Sequence, residues 1–269
     1  MNRSGTIPAA VWSSAQWVAY FRENAAAHRP IPWESGTGAT AAEVAEIAPS
    51  LRSWQLGETS DGRQLLVAAH RYAAAANDPD FVEAIRLFIG EEQRHGELLG
   101  RFLDLAGVGR AATTWGDSFF RAARHALPSM EVWATPVVMV EVHAMVYYNA
   151  IRRATPSPVL RAICEQILAD EVPHIRFQCE RLAVLHRRRL RVFRGLTTAF
   201  HEAFFLAITL AVWAGHRRAL RAGGYNFGRY WKAVWGKMRA AWRAMDAKGY
   251  TWEAEAPAIR SRRRGVLEG

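Results

Sequence analysis

Two Glu-x-x-His turns are the residues of this sequence best suited to chemistry: Glu92 with His95, and Glu171 with His174. In a helix, residues three apart project from the same face, about one turn from each other. Both pairs interrupt an otherwise apolar stripe, so both are predicted to face the interior. A buried carboxylate without a partner costs several kcal/mol or takes up a proton. The two interruptions therefore indicate a common partner that both pairs contact.

The helix before the second pair carries a further carboxylate on its inward stripe. Glu141 stands 30 residues before Glu171, and folding the chain back at Thr155–Pro158 brings the two side chains level. Tyr148 shares the stripe of Glu141 and is interpreted as a core tyrosine, with a redox-active phenol as the alternative. We therefore expect Glu141 to join the second Glu-x-x-His pair.

The same fold-back, applied to a hairpin centred near Asp78, requires a carboxylate around positions 61–64 to face the first pair. Asp61 is the preferred candidate because it lies on one stripe with Leu65 and Tyr72. Glu58, one helical turn earlier, is the alternative. The sequence leaves the choice between these two carboxylates open, with Asp61 favoured.

The combined set is that of di-iron and di-manganese carboxylate bundles: one carboxylate, Glu-x-x-His, a second carboxylate and a second Glu-x-x-His, each on its own helix. Carboxylate oxygens are hard ligands that bridge two metal ions, and one imidazole per ion leaves positions open for oxygen or substrate. Four carboxylates also nearly neutralise two divalent cations, so the site can be buried. The predicted cofactor is two iron ions, with manganese or a mixed pair as alternatives. The predicted metal ligands are Asp61 (or Glu58), Glu92, His95, Glu141, Glu171 and His174.

The residues around both pairs resemble a known motif. Glu91–Leu99 reads EEQRHGELL, which is similar to the second-helix motif of acyl-carrier-protein desaturases, Glu-Glu-x-Arg-His-Gly followed by an acidic residue and two Leu. Asp170-Glu171-x-x-His174 resembles the fourth-helix motif of the same family, Asp-Glu-x-x-His. Over about residues 58–185 the chain therefore resembles the ferritin-like di-iron carboxylate superfamily.

The resemblance implies an antiparallel ferritin-like four-helix bundle that binds iron. Independently of it, we expect the Asp170 side chain to orient a ligand histidine. One departure is Pro173, which stands where the family usually has Arg. Pro173 predicts either a kink in the fourth helix or a helix in two pieces. The hairpins are also shorter than those of desaturases, so the resemblance extends to the superfamily and its metal but not to the desaturase reaction.

The periodicity that positions these residues is helical nearly throughout, without a convincing alternating strand. We predict an all-α protein with an irregular N-terminal arm over residues 1–57, the bundle over residues 58–190, and further helices with a basic tail over residues 191–269, packed on the bundle. The predicted helices are approximately Ser13–Ala27, Ser60–Ala76, Pro79–Ala106, Thr114–Ala126 (a short segment), Met130–Ala154, Pro158–Arg189, Gly195–Ala222 and Asn226–Ala247.

Composition and charge limit the class of protein and its partners. Half of the residues are hydrophobic and there are two cysteines, which excludes a disordered chain and a disulfide scaffold. The apolar run Ala203–Gly215 has 13 residues, whereas a membrane span needs about 20, so we expect a buried helix in a soluble, cytoplasmic protein. Residues 185–269 carry 18 Lys and Arg against 5 Asp and Glu. This charge of +13 favours an acidic partner, such as a carrier protein, RNA or anionic lipid.

The function that the ligand set favours is a non-haem di-iron oxidoreductase that takes dioxygen and a small organic molecule as substrates. This chemistry also calls for an electron donor, and a homodimer is compatible with the sequence. The alternative is a ferritin-like protein that stores iron or removes peroxide without an organic substrate. A third interpretation, prompted by the basic C-terminal third, is the oxidation of a polyanion such as modified RNA.

Overall fold

The computed structural model describes residues 9–111, 130–187 and 191–252, and these residues are almost entirely helical. Two-residue strands, β1 (Ala9–Ala10) and β2 (Tyr250–Thr251), pair in parallel, and short 3-10 helices cover Trp33–Ser35 and Ala247–Gly249. The prediction of an all-α protein is confirmed. The α-helices are α1 (Ser14–Ala26), α2 (Ala41–Glu58), α3 (Arg63–Ala76), α4 (Asp80–Leu105), α5 (Met130–Ala154), α6 (Pro158–Arg187), α7 (Arg191–Ala222) and α8 (Phe227–Ala244).

The N-terminal arm is more ordered than predicted. Helix α1 confirms the expected helix near Ser13, whose side chain forms a capping box with Gln16. Helix α2 was not predicted, and the assignment of residues 1–57 to an irregular arm is therefore wrong. The start of α2 could have been predicted, since Thr40 and Glu43 have the spacing of a capping box and form one. The predicted short segment Thr114–Ala126 and the tail beyond residue 252 lie outside the described residues.

Helices α5 and α6 form an antiparallel hairpin along their whole length. Arg152 lies 3.8 Å from Glu165 beside the turn, and Glu131 lies 3.3 Å from His186 at the opposite end. Helix α6 continues without interruption through Pro173, so the two-piece alternative is wrong. The hairpin predicted from the Pro-rich turn is confirmed.

Helices α2, α4 and α6 pack side by side, with α4 antiparallel to both neighbours. Gln55 of α2 donates a hydrogen bond of 3.4 Å to the carbonyl oxygen of Gly96 of α4, and Phe88 of α4 contacts Phe177 of α6. Gly96 permits this approach, because a Cβ atom there would lie 2.6 Å from Cγ2 of Thr59. Helices α1 and α3 pack on α4, and α7 and α8 pack on α5. The helix that lies beside α4 at Gly96 is therefore α2 (Ala41–Glu58). Only its last residue falls within residues 58–190, the range predicted for the bundle.

Helix α7 does not have the environment that its sequence predicted. The segment Ala199–Ala222 is long and apolar enough to cross a membrane by length and composition, but only 17% of its apolar window is buried. Phe200 is 67% exposed and Leu210 is 47% exposed. The prediction of a buried helix over Ala203–Gly215 is therefore wrong, because within Ala199–Ala222 only one face of the helix is buried.

Candidate metal centre

Four helices bring six ionisable side chains together in two overlapping groups. In each group, one donor atom per residue can be chosen so that all lie within 4.8 Å of one another. Glu92 belongs to both groups, so its carboxylate lies where it can contact two cations at once. The first group is Glu58, Glu92 and His95, and the second is Glu92, Glu141, Glu171 and His174.

The structure places five of the six preferred site residues in this cluster and leaves Asp61 outside it. The Asp61 side chain is 67% exposed and pairs with Arg63 at 3.2 Å. Glu58, the alternative, is only 8% exposed and reaches the cluster from the last turn of α2. The preference for Asp61 is thus corrected: the carboxylate that faces Glu92 comes from the end of α2, whereas Asp61 lies in the link before α3.

Each histidine is held through its outer nitrogen by an acidic residue of the other Glu-x-x-His helix. His95 Nε2 lies 3.0 Å from Asp170 Oδ2, and His174 Nε2 lies 2.8 Å from Glu91 Oε2. A carboxylate at Nε2 fixes the tautomer with the proton on that atom, so the Nδ1 lone pair is available to a metal. The Nδ1 atom of His174 lies 2.9 Å from Glu92 Oε1, and that of His95 lies 3.8 Å from the same oxygen.

The expected contact of Asp170 with a histidine of the cluster is present, and Glu91 is its counterpart at His174. Each of these acids directly precedes the glutamate of its own pair in the sequence. The crossed arrangement gives the site an approximate two-fold symmetry. Glu91 was not predicted for this role, although the repeated acidic dipeptides, Glu91-Glu92 and Asp170-Glu171, were a signal that could have identified it.

Helix α1 joins these two outer carboxylates. The side-chain nitrogen Nδ2 of Asn24 donates hydrogen bonds to Glu91 Oε1 at 2.8 Å and to Asp170 Oδ1 at 2.9 Å. Gln166 donates to Asp170 as well, at 2.9 Å. Glu91 is 4% exposed and Asp170 is 2% exposed, so these hydrogen bonds satisfy acceptors that water does not reach. No sequence signal pointed to Asn24, which lies in the segment predicted as an arm.

The inner atoms of the cluster have the opposite character. Both carboxylate oxygens of Glu171, Oε1 of Glu92 and the Nδ1 atoms of His95 and His174 are buried and make no hydrogen bond in the described part of the chain. Among these atoms, His174 Nδ1 and Glu92 Oε1 lie 2.9 Å apart, the distance of an ion pair. Buried polar atoms are nearly always satisfied, because leaving them without a partner costs about 1–3 kcal/mol each, and more when charged. Five such atoms converge from two helices, in groups whose donor atoms are close enough together to bind a metal ion.

The cluster holds an excess of negative charge in a largely buried site. Burial, together with the charges of Glu92 and Glu171, raises the pKa of Glu58 well above its usual value. Burial and the same kind of repulsion from Glu171 and Glu92 raise the pKa of Glu141. Burial alone would lower the pKa of His174, but its carboxylate neighbours outweigh this effect and raise that pKa. A cation among these carboxylates would remove the repulsion that raises the pKa values of Glu58 and Glu141.

Aromatic side chains surround the cluster. Phe21 of α1 and Phe88 of α4 contact the ring of His174. On the opposite side, the Tyr148 hydroxyl donates a hydrogen bond of 2.5 Å to Glu58 Oε1, and the Trp54 ring lies against Tyr148. Tyr148 is fully buried, as expected of a core tyrosine, and its hydroxyl also orients one of the clustered carboxylates.

Comparison of the chain with protein-family models, with curated proteins and with solved structures found no match. The arrangement of the site is therefore interpreted from its own geometry.

Proposed function

We propose that this protein binds two metal ions in a ferritin-like four-helix bundle formed by α2, α4, α5 and α6. The observation that carries the proposal is the membership of Glu92 in both donor groups. A carboxylate shared between two sets of ligands is the arrangement that two adjacent cations require, because its two oxygens can each bind one ion. The unsatisfied inner atoms and the tethered outer nitrogens of the histidines support the same interpretation.

Glu58 and His95 would hold one ion, and Glu141, Glu171 and His174 the other, with Glu92 between them. The donors are carboxylate oxygens and imidazole nitrogens without thiolate, a set that suits iron and manganese. The two cysteines do not contribute, since both are buried thiols whose pKa is raised by burial. Four inner carboxylates balance the charge of two divalent ions, which removes the repulsion described above.

The proposed activity is that of an oxidoreductase that activates dioxygen to oxidise an organic molecule. Bound iron would supply the electrons for dioxygen reduction and the open coordination positions at which dioxygen binds. The residues of the chain bind and orient: Glu91 and Asp170 hold the imidazoles by Nε2, and Asn24 fixes both carboxylates. Phe21 and Phe88 contact the ring of His174 and would limit the access of water to the cluster, which protects a reactive site from side reactions.

Metal analysis after anaerobic reconstitution with Fe²⁺ tests the proposal. We expect two iron ions per chain in the wild type, and a Glu92→Ala variant that loses both because it lacks the shared ligand. Asp61→Asn is the matched control and should retain two ions, since Asp61 lies outside the cluster. Well under one ion per chain in the wild type, or full occupancy in Glu92→Ala, would refute the di-metal site.

Oxygen consumption distinguishes the activity from the alternative of iron storage. We expect the iron-loaded protein, supplied with a chemical reductant, to consume dioxygen repeatedly while it still carries two ions per chain. Accumulation of many iron ions per chain in a large assembly would instead indicate storage. Size-exclusion chromatography with iron quantification across the peak separates these outcomes.

A further inference from the structure

Helix α7 carries an apolar strip on the face that points away from the protein. Positions separated by three and four residues share one side of a helix. The residues of the strip have this spacing, and all of them are exposed. The opposite side is buried through Phe205, Ile208 and Thr209. Arg217 and Arg221 follow on the exposed side, one and two turns beyond the strip. The strip consists of Phe200, Ala203, Leu206, Ala207, Leu210 and Ala214.

Helix α8 carries a basic stripe on its outer face. Tyr230, Val234 and Met238 bury the inner face of this helix, and the outer positions at helical spacing are basic except for one glycine. Over residues 191–252 there are 11 Lys and Arg against 2 Asp and Glu. The members of the basic stripe are Arg229, Lys232, Arg239 and Arg243.

The apolar strip and the basic stripe lie on neighbouring helices. Helices α7 and α8 are antiparallel neighbours, because Phe205 contacts Trp235 whereas Trp213 contacts Phe227. Both helices also pack on α5. Half-buried tryptophans lie along the two helices, and Trp231 stacks on Trp235 at 5.2 Å.

We propose that the outer faces of α7 and α8 bind the surface of an anionic lipid bilayer. An exposed apolar strip beside Lys and Arg residues, with tryptophans at the boundary, is the composition of helices that lie in the membrane interface. The apolar side chains enter the acyl boundary while the basic stripe contacts anionic headgroups. The helix lies on the bilayer and does not cross it, because its other face packs on α5.

The charge of this surface distinguishes a bilayer from the other occupants. A second copy of the chain would bring two strongly basic surfaces together, and like charges disfavour that contact. A nucleic acid would complement the basic stripe but would leave the apolar strip of α7 in contact with phosphate and water. An anionic bilayer complements both parts of the surface at once.

Vesicle co-sedimentation of the full chain tests this proposal. We expect binding to vesicles of phosphatidylcholine mixed with phosphatidylglycerol, much weaker binding to phosphatidylcholine alone, and loss of affinity as salt is raised. The double variant Leu206→Glu with Leu210→Glu should bind at least about tenfold more weakly, because it places charge in the apolar strip. Replacing Arg239 and Arg243 by Gln should reduce binding to the anionic vesicles about fivefold per residue.

The matched control is Leu105→Glu, which changes an equally exposed leucine (44%) at the end of α4 and should leave vesicle binding unchanged. The metal-free and metal-loaded proteins should bind alike, since the surface does not include the metal centre. Binding that is unaffected by the Leu206 and Leu210 changes would overturn the proposal in favour of a simple polyanion site.

The remaining outcomes also decide against a bilayer. No binding to either vesicle, with a dimer by light scattering that the Leu206 and Leu210 variant dissociates, would assign the strip to a second copy. No vesicle binding from a monomer would mean that another part of the chain covers the strip.

Discussion

The substitution Glu141→Gln tests the electrostatic argument for the metal centre, because it should affect the metal-free and metal-loaded proteins in opposite directions. Glutamine keeps the shape of the side chain but removes its charge. A donor atom of Glu141 lies within 4.8 Å of donor atoms of Glu92 and Glu171. Two charged carboxylates at this separation repel each other by about 3 kcal/mol at an effective dielectric constant near 20.

Part of this repulsion is offset by protons and by His174, so we expect metal-free Glu141→Gln to be more stable than the metal-free wild type by about 2 kcal/mol. For a chain of this size that corresponds to an increase in Tm of roughly 4–8 °C. The metal-loaded comparison should reverse, because the variant lacks a ligand. Saturating metal stabilises the wild type by about 3 kcal/mol at one hundred times Kd, and the variant should gain much less.

Differential scanning calorimetry with and without Mn²⁺ measures both effects. Glu97→Gln is the matched control: Glu97 is an exposed carboxylate of α4 that pairs with Arg110, and its removal should change the stability by less than about 1 kcal/mol. A metal-free Glu141→Gln protein that is less stable than the wild type, or that keeps the full stabilisation by Mn²⁺, would refute the reasoning.

The raised pKa of Glu141 also predicts how the stability difference between metal-free Glu141→Gln and the metal-free wild type depends on pH. Some carboxyl groups have a higher pKa in the folded protein than in the unfolded protein. Such a group makes its full contribution to the free energy of unfolding only at pH values below its unfolded pKa, about 4.3. That contribution is lost as the pH rises through the folded pKa. The advantage of metal-free Glu141→Gln over the wild type should therefore be smallest near pH 4 and grow toward pH 8. An advantage that does not change with pH would contradict the assigned cause.

Three further expectations concern the first ligand, the outer hydrogen bonds and the helix packing. Glu58→Gln should lower the bound metal from two ions toward one per chain, and Asp61→Asn should not, as measured by elemental analysis. Asn24→Ala should weaken metal binding about tenfold in a chelator competition, because Glu91 and Asp170 lose their common donor; unchanged affinity would remove α1 from the site. Gly223→Ala should lower the free energy of unfolding by about 1–3 kcal/mol, because its Cβ would lie 2.3 Å from the carbonyl oxygen of Ala150. Gly236→Ala, with no atom within 4 Å of its Cβ position, should raise it by about 0.5–1 kcal/mol, and urea denaturation measures both.

The residues of the site on α4, α5 and α6 could be predicted because local features of the sequence determine where they point. Glu92 and Glu171 were recognisable as charged interruptions of apolar stripes, and helical periodicity specifies which residues share a face. The turn at Thr155–Pro158 then determines the register of one hairpin, so Glu141 could be matched to Glu171. Each of these steps uses only residues that are close in sequence or separated by a single short turn.

The first carboxylate of the cluster, Glu58, could not be chosen in this way, because its helix is not joined to α4 by a simple hairpin. The fold-back at Asp78 pairs α4 with α3, as predicted, but α2 supplies the carboxylate. The link between α2 and α3 includes Gly62 with a φ of +64°, and the whole of α3 separates Glu58 from α4. Counting residues back from the turn at Asp78 therefore leads to Asp61 and not to Glu58.

The sequence alone determined that the chain is helical and that two Glu-x-x-His pairs face inward, since both follow from the period of the α-helix and from the cost of burying charge. Only the tertiary structure decided that Glu58 completes the cluster, that Asn24 links its outer carboxylates, and that one side of α7 stays exposed. These features depend on which distant helices pack together and at what register. That choice is made by the fit of whole surfaces, which no local pattern of residues encodes.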